Sequence, residues 1–148
     1  MSGQLDPIQL MKTINELEYK INALATIQTG GIWTAYTPTP TGFSATTLAA
    51  GKYCVVGNLC TVHLRLDGTS DSTSFNALLP IAAATMSYSV YITSALAIDN
   101  GTQVTTASTF QIASAATSVI FIKGVTTTTA SWTASGRKLI TGLFSYEI

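Results

Sequence analysis

Gly51-Lys52-Tyr53-Cys54-Val55-Val56-Gly57-Asn58-Leu59-Cys60-Thr61-Val62-His63-Leu64-Arg65-Leu66-Asp67 is the stretch that decides the fold. Cys60, Val62, Leu64 and Leu66 alternate with Thr61, His63, Arg65 and Asp67, the two-residue period of a strand with one buried face. Gly57-Asn58 reads as a two-residue hairpin turn ahead of it. Such a turn pairs Val56 with Leu59, Val55 with Cys60 and Cys54 with Thr61. The two sulfurs then point to opposite faces, so no disulfide is expected between them. With no His or Cys cluster nearby they make no zinc site either. They read as small residues of a core or sheet face.

The same period continues downstream. From Met86 the even positions are Met86, Tyr88, Val90, Ile92, Ser94, Leu96 and Ile98, and the odd ones are mostly polar or small. This alternation, with Pro80 and many hydroxyls, excludes a membrane helix in the uncharged stretch 72–98. Val104, Phe110 and Ile112 share one parity. Residues 118–122, Ser-Val-Ile-Phe-Ile, are apolar on both faces, as expected of a covered central strand or one that meets a partner subunit. In residues 138–148, Ile140, Phe144, Tyr146 and Ile148 share a face, with Leu139 and Leu143 opposite. Asp67-Gly68, Asn100-Gly101, Lys123-Gly124 and Ser135-Gly136 are further turn signals. Many short strands with regular turns predict a mainly β domain, an antiparallel β-sandwich or jelly roll, over residues 30–148.

Upstream of Gly30-Gly31 the pattern changes. Leu10, Ile14, Leu17, Ile21 and Leu24 recur at spacings of 4, 3, 4 and 3. That is a heptad seam, with Ile14 and Ile21 at a and the leucines at d. Asp6-Pro7 supplies an N-cap and a first-turn proline. Glu16 and Lys20 form an outward i, i+4 pair. Residues 1–29 therefore read as a short N-terminal helix used for oligomerisation. A helix packed on its own domain is the alternative, but it would carry a wider apolar stripe. Ile at a with Leu at d favours a dimer over so short a parallel coiled coil.

Composition agrees with association. The 148 residues carry 7 basic and 7 acidic side chains, and charged residues are 9% of the chain against about 25% in an ordinary domain. Thr (25) and Ser (14) replace them, making about a quarter of the chain and leaving a neutral surface that favours protein contacts. With no basic excess there is no footprint for nucleic acid or an anionic membrane. No basic segment precedes an apolar one in Met1-Ser2-Gly3-Gln4-Leu5, so no secretory signal is expected.

Three segments in order carry a family resemblance: Trp33-Thr34-Ala35-Tyr36-Thr37-Pro38-Thr39, then the hairpin from Gly51 to Val62, then Phe75-Asn76-Ala77-Leu78-Leu79-Pro80. With the preceding helix they resemble the C-terminal β-domains of tailed-bacteriophage fibres and related virion appendage proteins. Cys60 stands where that group usually has an apolar β-branched residue. The resemblance implies a parallel homotrimer, against the dimer preference of the seam, and the trimer is the expectation adopted. It also implies a place on the phage particle after synthesis in the host cytoplasm. The expected role is a tail fibre or spike that is joined to other virion proteins through the helix and adheres to a host glycan or protein. A capsid decoration or head-fibre protein with no receptor is the alternative, favoured by the small size and the lack of a shaft. A lectin-like carbohydrate-binding domain is a third.

No catalytic residue, metal site or cofactor is expected. His63 is the only histidine and alternates outward beside Arg65 and Asp67. Asp67 and Asp71 flank Gly68-Thr69-Ser70 but lack the oxygens an ion site needs. Asn100-Gly101-Thr102 matches a glycosylation acceptor, yet a type I′ turn explains it better. Aromatic rings stack on sugars. Trp132, in the loop-like stretch 126–135, is the receptor-binding candidate, and Trp33 is expected to pack where helix meets sandwich.

Overall fold

A computed structural model describes residues 6–29, 31–106, 108–124 and 132–148, and their side chains except 22–29 and 93–95. The chain is mainly β and antiparallel, with one helix. Strand β3 (Phe43–Val56) and strand β4 (Leu59–Ser70) form the hairpin with the expected register, Val56↔Leu59, Val55↔Cys60 and Cys54↔Thr61. Gly57 takes φ +60°, which suits the first central position of a type II′ turn. Along β4, Cys60, Val62, Leu64 and Leu66 are fully buried while His63 and Arg65 are exposed.

Around this hairpin lie β1 (Thr34–Tyr36), β2 (Pro40–Thr41), β5 (Phe75–Leu78), β6 (Val90–Asp99), β7 (Thr102–Gln103), β8 (Ser108–Ile112), β9 (Ser118–Ile122) and β10 (Arg137–Glu147). Hydrogen bonding runs β1-β3-β4-β10-β6-β8-β9-β5-β2, with β7 on the edge of β6. Strand β6 turns the corner between two antiparallel layers. Its residues 90–95 pair with β8, its residues 95–99 pair with β10, and a bulge lies between Thr93 and Ala95. Bulges are the usual means by which one strand serves two sheets. The ends of the path meet as well: Gly42 joins β2 to β3, and the Phe43 and Phe75 rings touch edge-on at 5.2 Å. Between the layers, Phe110 of β8 packs on Phe144 of β10 at 4.7 Å and on Phe121 of β9 at 5.6 Å.

The bulge corrects one expectation. Val90 and Ile92 lean inward as the even parity predicted, but beyond the bulge Ala97 and Asp99 are buried and Leu96 is exposed. The extra residue moves the inward face from even to odd positions. Asp67-Gly68 is a second correction. It lies inside β4 rather than at a turn, beside the irregular start of β3. A Cβ on Gly68 would strike the Ala45 carbonyl oxygen, so here glycine marks a close backbone approach. Asn100 (φ +49°) and Gly101 (φ +78°) make the expected type I′ turn between Asp99 and Thr102. Strand β9 is interior to the sheet, with Val119 and Phe121 in the core, but Ile120 opens outward.

Two of the motif segments turn out to be one contact. Tyr36 of β1 pairs with Gly51 of β3, and its ring fills the space that a Gly51 side chain would take. The same ring meets Tyr53 edge-on at 5.9 Å. Cys54 and Cys60 are free thiols on opposite faces. Burial pushes the Cys60 thiol pKa up, in spite of a hydrogen bond with Tyr146. Iodoacetamide is therefore expected to modify the half-buried Cys54 in the native chain and Cys60 only after denaturation. Mass spectrometry of the labelled peptides checks this; equal native labelling would contradict the assigned burial.

Candidate functional site

Helix α1 (Pro7–Thr29) begins as the capping pattern predicts, with the Ile8 amide donating to Asp6 Oδ1 at 3.1 Å and the Leu10 amide to the Asp6 carbonyl at 3.0 Å. At about 1.5 Å per residue it is about 34 Å long. Every described side chain from Pro7 to Ile21 is exposed. The seam is no exception: Leu10 is 47% exposed, Ile14 42%, Leu17 52% and Ile21 61%. The Leu24 side chain lies outside the described residues. Among the described residues the helix therefore buries none of this stripe on the β-domain, which speaks against the intramolecular alternative. A single solvated helix of this length is marginal in water. Its apolar ridge is unpartnered within one chain.

The two tryptophans exchange their expected places. Trp132 is 2% exposed, so it cannot offer a face to a sugar. Its ring meets Phe75 edge-on at 5.4 Å, and its Nε1–H donates to the Phe121 carbonyl at 3.0 Å. Core contact and a satisfied indole N–H outweigh the loop-like composition around it. Residues 126–131 of that stretch lie outside the described residues. Trp33 is instead 44% exposed, with Lys52 Nζ 5.0 Å over its ring. Trp132→Phe is expected to cost about 2–4 kcal/mol, since the smaller ring leaves a cavity and the buried Phe121 carbonyl loses its donor. Urea unfolding monitored by circular dichroism measures it; no change would deny the hydrogen bond its role.

On the outer face of β3 and β4, Lys52, His63 and Arg65 rim a shallow groove of about 350 Å³ floored by Ala35, Ala50 and Gly51. His63 stands between Lys52 and Leu143 in the cross-strand register. Asp67 is engaged by Arg137, whose Nε and Nη2 donate at 2.9 and 2.7 Å, and this pairing holds the Asp67 carboxyl below its usual range. Asp71 stays exposed in the bend after β4. Among the described residues no group of three or more His, Cys, Asp and Glu could hold a metal ion, and no helix is long and apolar enough to cross a membrane.

A charge cluster that the sequence reading missed lies at the far end of β6. Asp99, Lys123 and Lys138 come together because Lys138 of β10 pairs directly with Asp99 of β6, and β9, which Lys123 follows, joins β6 through β8. Burial alone would raise the Asp99 carboxyl pKa. Hydrogen bonds from Lys123, Lys138 and the Thr133 amide outweigh it and bring the carboxyl down to about 2. Once β6 is known to bulge, the odd parity of Asp99 points it inward; without the bulge the residue reads as solvated. No family model, curated protein or solved structure matches this chain.

Proposed function

We propose that the chain is a structural protein of a tailed-bacteriophage particle, a homotrimer joined through a parallel coiled coil of α1. The two antiparallel layers then form a jelly-roll-like β-sandwich head that projects from the particle as a tail fibre or spike. The observation that carries this reading is the helix whose apolar ridge is exposed at Leu10, Ile14, Leu17 and Ile21. Such a ridge is stable only when chains share it. The near-absence of charge and the three motifs supply the rest of the support. Adhesion would come from weak contacts multiplied over three heads and over many copies on a particle.

A second reading is favoured by the burial of Trp132. With its leading sugar-stacking candidate in the core, the protein fits a capsid decoration or head-fibre role without a receptor. Sedimentation equilibrium of the purified chain is expected to give three copies of the 15.5 kDa protomer. A monomer at all concentrations would sink the trimer and the seam together. Between the two roles, competition of the purified protein with phage adsorption decides: inhibition supports adhesion, and none at saturation supports decoration.

A further inference from the structure

The Asp99 cluster is unbalanced in charge. Its carboxylate accepts from Lys123 Nζ at 2.5 Å, from Lys138 Nζ at 2.9 Å, from the Thr133 amide at 3.2 Å and from the Thr133 hydroxyl at 3.1 Å. Lys138 is sealed from solvent, and its Nζ also donates to the Ser135 carbonyl at 2.6 Å. Two ammonium groups thus share one carboxylate, leaving one positive charge in excess within a chain of zero net charge. The sealed Lys138 takes up the Asp99 charge, so the excess falls on Lys123, where an anion from solvent can reach it. Tethering the segment around Thr133 and Ser135 to β6 needs only the buried Lys138. Lys123 is the member that a tether does not require. Its side chain is 31% exposed, and among the described residues its Nζ donates only to Asp99.

Lys123 opens onto a pocket of about 390 Å³ beside the β6–β7 turn. Apart from Val104 the walls are amide and hydroxyl side chains, among them Asn100, Gln103, Thr106 and Thr133, and among the described residues Asp99 is the only carboxylate lining it. The volume falls within the range of roughly 300–1,000 Å³ common to small-molecule sites. We propose that this pocket binds an oxyanion, a carboxylate or phosphate, carried on a hydroxylated body the size of one sugar. Lys123 meets the anionic oxygens and offsets the cluster's excess charge. Asn100, Gln103 and the threonines supply donors and acceptors to the hydroxyls, as amides and hydroxyls do for polyols.

The test titrates the full isotope-labelled chain with sodium glucuronate, with glucose and with sodium phosphate while amide NMR signals are followed. Glucuronate is expected to shift the amides of Asn100, Gln103 and Thr106 saturably, with a dissociation constant of order 1 mM. Glucose should produce no saturable shift. Phosphate should move the same signals with about tenfold weaker affinity, since it lacks the carrier's hydroxyls. Equal affinity for phosphate and glucuronate would overturn the part given to the walls. Lys123→Gln keeps Asp99 paired with Lys138, so the fold persists; it should lose affinity for both anions by about tenfold or more. Gln103→Ala should weaken glucuronate and leave phosphate unchanged. Absence of saturable shifts with either anion, or undiminished binding by Lys123→Gln, would overturn the site.

Discussion

Asp99→Asn is expected to lower the thermal unfolding midpoint by about 12–20 °C. The substitution removes the only carboxylate that balances two lysines, one of them fully buried. Breaking a buried ion pair from one side costs about 3–5 kcal/mol. For a chain of this size each kcal/mol moves the midpoint by about 4 °C. The exposed Asp67–Arg137 pair supplies the contrast: Arg137 is 53% exposed, so Asp67→Asn should shift the midpoint far less. The pH dependence carries the same signature. Asp99 titrates near 2 in the folded chain and near its ordinary 3.8 when unfolded. Its contribution is therefore complete above the unfolded value and is lost as pH falls through that window toward 2. Calorimetry of wild type and Asp99→Asn between neutral and acid pH checks both. The gap between the two proteins should be constant near neutrality and narrow on acidification. A gap independent of pH would mean that the pairing is not ionic.

If the proposed trimer forms through α1, Ile14→Asp combined with Ile21→Asp is expected to convert it to monomers. Both residues lie on the exposed ridge of α1, so the monomer has nothing to lose from the change. In a shared seam each substitution buries an unpaired carboxylate per chain, at a cost of several kcal/mol apiece. Sedimentation should fall from three protomers to one, and the strand signal in circular dichroism should persist while helical signal drops. An unchanged mass would place the subunit contact on the β-domain instead. The outer face of the β10–β6 layer around Leu143 and Leu96 would then be the surface to mutate.

The hairpin could be read to the residue because two local signals agree there. A two-residue turn sets the register, and strict alternation on β4 sets the inward face. The helix start was equally local, since Asp6-Pro7 acts within one turn. What could not be read depends on distant partners. The bulge at residues 93–95 leaves no mark in a run that alternates on both sides of it, yet it reverses which residues point inward. Trp132 sits in a stretch without period, and Phe75 and Phe121 decide its burial from elsewhere in the chain. The Asp99 cluster gathers residues 99, 123 and 138, which the β6–β10 pairing and the β6–β8–β9 path bring together.

The place of β10 has a consequence for the order of assembly. This strand fills the middle of its layer, between β4 and β6, and joins β4 from Arg137↔Thr69 to Glu147↔Leu59, residues 68 to 88 apart in the chain. Pairings of such long range close slowly. During synthesis α1 emerges before the β-domain, while β4 waits with one edge open until residue 147 has left the ribosome. For that interval the hydroxyl-rich, charge-poor chain carries a strand with one open edge and one apolar face, the kind of edge on which nascent chains aggregate. In the proposed trimer stalk pairing would thus precede head closure, and yield in a heterologous host should depend more on chaperone supply during that wait than on the stability of the finished sheet.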